Sequence, residues 1–441
     1  TSPNGPLAGV VIGVKDNCDT TDLPTTAGSL ALGEIPPPPL DAGVVRRLRE
    51  AGATIVGKTN LSEWSNFRST RSVSGWSGTG GQCRNPFALD RSPGGSSSGS
   101  GAAVAAGLVP AAIGTETNGS VMCPAAVNGI VGIKPTVGAT SRAGVIPISP
   151  TQDSVGVLAR SMADARLVLS CIVGHDRRDP ATMQGLVDTQ GLARRNPRQP
   201  SHIRLGVASA TLMGYDTALD DLFMEVLTVL RGASVEVIEM VDEKGYSLAI
   251  DNEAQELVLR YEFRRSLAQY LTERGARDHD SIAAIHRSHL AFAREELSVF
   301  GQERFDEVVS SPGPSDEAYA TARTALNVSM QQRINEIMDL HRLDAIVAPT
   351  MSAAWKIDYV AGDIVSGDGY GAAAVAGYPS ISLPIGLQRG LPVGMVLFGR
   401  AWTDVALCDV ASTVEEVLSV DLRPRFLPTL ETTPLPWFDV R

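Results

Sequence analysis

Three short segments of this 441-residue chain hold residue types that could do chemistry together. In residues 9–17 an apolar run ends on Lys15, followed by Asp16 and Asn17. A lysine at the end of such a run is costly to bury unless it is paired or neutral. Residues 93–101 string the hydroxyls of Ser96, Ser97, Ser98 and Ser100 along a glycine-rich backbone. Residues 113–120 add Ser120 after Gly114-Thr-Glu-Thr-Asn-Gly119, a run able to bend tightly.

Two other motif matches compete with this set and fail on context. Gly52-Ala-Thr-Ile-Val-Gly57-Lys58-Thr59 fits the phosphate-loop pattern. That loop needs a strand before its first glycine, whereas here a helix precedes Gly52 and the β-branched residues between the glycines are strand-forming. Gly95-Ser-Ser-Ser-Gly99 fits the nucleophile elbow of α/β-hydrolases. The elbow should follow a buried strand, and residues 85–93 read as irregular loop. It also needs a histidine. All six (His175, His202, His279, His286, His289, His341) lie in polar or charged surroundings and read as ordinary surface histidines. His286 and His289, without a nearby cysteine or paired carboxylates, do not read as a metal site.

The three segments together resemble the amidase signature family, in the right order and with the 24-residue step from Ser96 to Ser120. Within that family the resemblance is strongest to the branch that cleaves peptide amides. It extends through Gly57-Lys-Thr-Asn-Leu-Ser-Glu-Trp64, Gly114-Thr-Glu-Thr-Asn-Gly-Ser-Val-Met-Cys-Pro124, Tyr261-Glu-Phe263, Phe300-Gly-Gln302, Ala348-Pro-Thr350 and Ala372-Ala-Ala-Val-Ala-Gly-Tyr-Pro379. Many relatives carry Asp at Glu116, Gly at Asn118 and Arg at Met122, so the pocket is expected to depart from theirs.

The resemblance implies a Ser–Ser–Lys amidohydrolase that passes through an acyl-enzyme. Ser120 would be the nucleophile and Lys15 the neutral base. Ser96, expected with a cis peptide bond to its neighbour, would relay protons between them. Backbone N–H groups of Thr117, Asn118 and Gly119 would form the oxyanion hole, with Gly95 and Ser97 in support. Glu116 reads as a structural hydrogen-bonding residue and Cys123 as a packed thiol. Trp64, Trp76 and Tyr378 either line the pocket or fill core. No metal or organic cofactor is expected. The implied substrate is a carboxamide, first of all a peptide C-terminal amide. Aryl or aliphatic amides, a glutaminase subunit of a tRNA-dependent amidotransferase, and a non-catalytic amide-binding protein are the other readings.

The elements that must position these residues follow from periodicity. Residues 10–14, 54–56, 109–113 and 130–133 are predicted strands, and 41–51 and 102–108 helices. A helix over 163–173, a strand over 203–208, an amphipathic helix carrying Leu219, Leu222, Phe223, Val226 and Leu230, and a strand over 235–238 continue the alternation. Residues 242–341 are mostly helical and more charged, and read as a cover whose pocket-facing residues the sequence does not reveal. The alternation returns at 345–347 and runs through the Pro/Gly-rich stretch 377–394 to a helix over 404–418. The expectation is a single α/β domain over 1–441, a mixed β-sheet core flanked by helices.

Composition bounds the rest. With 38 Lys and Arg against 49 Asp and Glu, the net charge of −11 does not favour a nucleic-acid binder. Five cysteines without a CxxC pair suggest the thiols of a reducing compartment, so a cytoplasmic location is expected. The run 99–113 is too short and too broken by Pro110 to span a membrane. Because Lys15 comes so soon after Thr1, a segment ahead of it is expected to be missing or removed.

Overall fold

The computed structural model describes residues 4–33, 35–183, 187–194, 196–242, 245–275 and 279–430. Its strands are β1 (Val11–Lys15), β2 (Thr54–Thr59), β3 (Trp76–Ser77), β4 (Gly81–Gln82), β5 (Ala111–Glu116), β6 (Val131–Lys134), β7 (Ser154–Ala159), β8 (Arg204–Val207), β9 (Glu236–Ile238), β10 (Ala345–Pro349), β11 (Ser380–Gln388) and β12 (Leu391–Phe398). Ten of them make one sheet in the order β2-β1-β5-β7-β6-β11-β12-β10-β8-β9, and β3 pairs with β4 apart from it. At one side β2, β1 and β5 run parallel, and at the other β9, β8 and β10 do. The strands between are antiparallel to their neighbours. This is the mixed-sheet α/β domain that the sequence pattern predicts.

The sheet is buried on both faces. Along β5, Ala111 and Ile113 enter one apolar core and Ala112 the other; along β10, Ala345 and Val347 face one and Ile346 and Ala348 the other. That explains why these strands read as unbroken apolar runs instead of alternating ones. The helix Gly43–Glu50 returns the chain from β1 to β2, burying Val44, Val45 and Leu48 while Arg46 and Glu50 face water.

Three elements differ from the sequence pattern. The small-residue helix spans Ser98–Ala105, starting four residues before the expected 102. Its early turn is made of Ser and Gly because backbone lies against it. A Cβ on Gly99 would stand 2.6 Å from the Asn60 carbonyl oxygen. Strand β7, between β5 and β6, has no counterpart among the predicted elements. The stretch 377–394 does not continue a βα alternation: most of it belongs to an antiparallel hairpin, β11 to β12. Its turn residues Arg389 and Gly390 both have positive φ (51° and 82°), the twist that two-residue hairpins require. Pro384 sits at an irregularity in the β11–β12 register, past the Ser380–Ser382 stretch that pairs with β6, so it interrupts no ladder on that side.

Within 242–341 the long helix Asn252–Arg274 and the helices Ile282–Ala291 and Glu303–Ser310 pack Phe263, Leu267, Tyr270, Ile285 and Phe305 onto Ala27, Trp64, Phe67 and Ile148 of the first third. No helix of the described residues is long and apolar enough to cross a membrane. Because β1 and β5 are adjacent and parallel, with Val14 opposite Ile113, their carboxyl ends share one edge of the sheet. Ligand crevices in α/β sheets form outside such ends.

Candidate active site

Lys15 closes β1 and is fully buried. Its Nζ lies 2.8 Å from Ser96 Oγ, 2.8 Å from Thr115 Oγ1 and 3.3 Å from the Thr115 carbonyl oxygen. Burial brings its pKa down to about 7, although the carboxylates of Asp153 and Glu116 act in the opposite sense. Lysine in this setting is neutral in a large fraction of molecules at neutral pH.

The serine loop is pinned from several sides. The Gly95–Ser96 peptide bond is cis. The Ser96 carbonyl accepts from the Ser62 N–H at 3.1 Å, and the Ser97 N–H donates to the Ser120 carbonyl at 3.1 Å. The Ser97 hydroxyl donates to the Thr115 carbonyl at 3.1 Å and accepts from the Thr115 N–H at 3.2 Å, tying the loop to the end of β5. Ser98 and Ser100, the remaining hydroxyls, donate to the carbonyls of Gly94 and Ile113. Of the four serines, Ser96 alone bonds the lysine.

The chain leaves β5 through Glu116, whose Oε2 accepts from the N–H groups of Val121 (2.8 Å) and Met122 (3.0 Å). Glu116 thereby caps the helix Met122–Val127 and fixes the bend that carries Ser120. The Thr117 hydroxyl donates to Asp153 at 2.5 Å, and Asp153 also accepts from the N–H groups of Ile148 and Ser149 at 2.8 Å each. Burial nevertheless raises the Asp153 pKa to about 6. Gly119 has φ +81°, and a Cβ there would stand 2.3 Å from the Tyr370 ring, so this position admits glycine alone.

Ser120 retains 9 % exposure, and with Gly95, Thr117 and Asn118 it lines a cleft of about 220 Å³. Phe67, Trp355 and Tyr370 supply aromatic lining, and Leu259 of the long helix contributes an apolar contact. Among the described residues that line it, Asp363 is the one carboxylate, and there is no lysine or arginine. Cys123 lines it too, but burial raises its thiol to about 12, which keeps it protonated.

The competing motifs fall elsewhere. Lys58 lies on a strand, bonded to the Cys18 carbonyl and the Thr25 hydroxyl and paired with Asp16 at 3.3 Å. No histidine of the described residues lines the cleft. The expectation that all six are surface residues fails at His289, which is fully buried. Its Nε2 accepts from the Trp64 indole at 3.1 Å and its Nδ1 meets Gln302 Oε1 at 2.9 Å, while burial lowers its pKa to about 3. Two carboxylates that sequence spacing does not suggest, Glu63 and Glu296, converge on it. They already face a cation: the buried Arg68 guanidinium bonds the Glu63 carboxylate, stands 3.9 Å from the Glu296 carboxylate and also bonds the Glu296 backbone carbonyl. His286 instead pairs with Asp306. Trp64 packs on Phe305, Trp76 on Phe300, and the Tyr378 hydroxyl accepts from Asn335, so none of the three lines the cleft.

Sequence reasoning missed Thr115, although it lies inside the motif that carries Ser120. It also missed Trp355, Asp363 and Tyr370, which reach the cleft from more than 230 residues away with no local pattern to mark them.

The amidase family model matches residues 1–408. The chain belongs to the amidase family. The native peptide amidase of Stenotrophomonas maltophilia is 41% identical, with a TM-score of 0.86 over 96% of this chain and 85% of that one. A glutamyl-tRNA(Gln) amidotransferase subunit from Symbiobacterium thermophilum is 37% identical over 94% of this chain and 83% of its own. Mandelamide hydrolase of Pseudomonas putida is 35% identical over 94% and 79%. The chain is a hydrolase acting on amide C–N bonds.

Proposed function

We propose that Lys15, Ser96 and Ser120 act as a Ser–Ser–Lys triad that releases ammonia from carboxamides, with peptide C-terminal amides as the principal substrates. The observation that carries this reading is the 2.8 Å contact between a fully buried lysine and the hydroxyl of Ser96. A nucleophilic serine needs a base within hydrogen-bond reach, directly or through one relay.

In this reading Ser120 Oγ attacks the amide carbon. Its proton passes to Ser96 Oγ as the Ser96 proton passes to Lys15 Nζ. The oxyanion is held by N–H groups of Thr117, Asn118 and Gly119; those of Val121 and Met122 are engaged by Glu116. When the C–N bond breaks, the leaving nitrogen takes its proton from Ser96, which regains one from Lys15, and ammonia departs. Water then attacks the acyl-serine and loses its proton by the same route. The acid leaves as Ser120 Oγ takes a proton from Ser96, which regains one from Lys15, and the triad returns to its starting state.

The likeness to peptide amidase supports the substrate class, as does a cleft with aromatic lining and no cationic side chain among the described residues. Glutamine, the substrate of the amidotransferase reading, carries an α-carboxylate that such a cleft leaves unpaired. Ammonia release from a peptide amide, its free acid, glutamine, benzamide and an anilide tests these alternatives, with Ser120→Ala as control. Release from the peptide amide alone, abolished in the variant, is the expected outcome. Release chiefly from glutamine or benzamide would replace the substrate class, and full activity of Ser120→Ala would overturn the triad.

A further inference from the structure

The Asp363 carboxylate on the cleft wall accepts hydrogen bonds from the Ser74 N–H (3.1 and 3.0 Å) and from the Trp355 indole N–H (2.8 Å). These donors orient it but carry no net charge, and burial holds its carboxyl above the usual carboxylate range. A carboxylate drawn out of water is ordinarily paired, and Asp363 instead faces the cavity that admits substrate. Two further acceptors line the same cleft. The side-chain oxygens of Asn66 and Asn118 are buried and have no hydrogen-bond partner among the described residues. The cleft therefore combines the Asp363 carboxylate and two unpartnered amide oxygens in its wall with the aromatic side chains of Trp355 and Tyr370, a lining compatible with a cation.

We propose that Asp363 is a specificity-determining residue that receives a protonated amine on the acyl portion of the substrate, so that preferred substrates are amides of amino acids or short peptides bearing a free, charged amine. The proposal rests on the amide-hydrolysing reading of Ser120 given above. It extends that reading from the bond cleaved to the group recognised beside it.

The test compares kcat/KM for ammonia release from an amino-acid amide and a dipeptide amide, each with a free and an acetylated amine. Wild type should prefer the free amine by tenfold or more at one of the two lengths. Asp363→Asn should bring that ratio close to one. An α-amine titrates at about 7.7–8.0, so the wild-type preference should fade between pH 7 and pH 9 while Asp363→Asn shows no such pH dependence, a difference that a purely structural role for Asp363 would not produce. A wild-type ratio near one at both lengths, or an undiminished ratio in Asp363→Asn, would overturn the proposal. Should that variant not fold, calorimetric binding of the same pairs to Ser120→Ala reads the preference without it: a tenfold affinity difference supports the proposal and equal affinities refute it. Hydrolysis of the acetylated amides by wild type, lost in Ser120→Ala, shows that the underlying reading stands even where this one falls.

Discussion

The Thr115 hydroxyl accepts hydrogen bonds from both Lys15 Nζ (2.8 Å) and the Asn17 amide (2.9 Å). A neutral lysine amine has two hydrogens and one lone pair. In the triad reading Thr115 takes those hydrogens on its hydroxyl and carbonyl oxygens and the lone pair turns to Ser96, whereas a protonated Lys15 donates to all three. In the triad reading Thr115 is a positioning residue, aiming the base without touching substrate.

Thr115→Val removes the hydroxyl acceptor at nearly constant volume and leaves the Asn17 donor without its partner. The expected loss is about tenfold in kcat, equivalent to about 1.4 kcal/mol, with KM little changed. Thr115→Ser keeps the acceptor and should restore most of the rate. Equal kcat in Thr115→Val and wild type would remove Thr115 from the mechanism.

In the triad reading the pH dependence follows from the state Lys15 must occupy. With its pKa brought down to about 7, the neutral base is lost as pH falls below that value. kcat/KM should therefore drop about tenfold per unit on the acid side of 7 and level off above it. A profile flat from about pH 5.5 to 8 would assign the proton transfer to another group.

The same shift bears on stability. An unfolded lysine titrates at about 10.4, so between about 7 and 10 the unfolded chain binds a proton that the folded chain does not. Wild-type stability should rise as pH climbs through that window. Lys15→Met removes the buried amine and should unfold at higher denaturant concentration than wild type. The gain should reach about 4 kcal/mol at most near pH 7 and shrink towards pH 10. Denaturant titrations at the two pH values check it; a gain that grows with pH would refute the assignment.

Arg68 joins Glu63, the Glu296 carbonyl and the Phe300 carbonyl, and so ties the helical segment to the first third. Arg68→Met leaves two buried carboxylates without their cation and should cost about 3–5 kcal/mol. Adding Glu63→Gln should recover part of that loss. If the double variant is no more stable than the single one, the carboxylate is not what the arginine serves.

What the sequence makes legible divides along the line between local and distant causes. Strand β1, the helix Gly43–Glu50 and the first half of β5 announce themselves by periodicity, whereas Gly114–Glu116, which reads as a bend, continues the strand; the order of Lys15, Ser96 and Ser120 is what suggests one chemistry. The structure brings Lys15 against Ser96 and hangs Ser120 from the Ser97 N–H. Strand β7 is hidden because its Ser and Gly match the turns around it. His289 looks like a surface residue because His286, Arg287 and Ser288 precede it, whereas Trp64 and Gln302, the side chains bonded to it, come from elsewhere. Asp363 sits in an irregular segment, where no period predicts which way a side chain turns.

The contacts of Lys15 join residues 81 and 100 positions apart, and Tyr370 closes over Gly119 from the far third of the chain. Closing loops of that length is an entropic cost met late in folding, after helices and nearby strands have formed. A refolding chain would thus regain its helical signal before the lysine meets the serine and before the tyrosine seals the bend. Recovery of hydrolysis should then report the final long-range closures, making this site a clock for the completion of the whole fold.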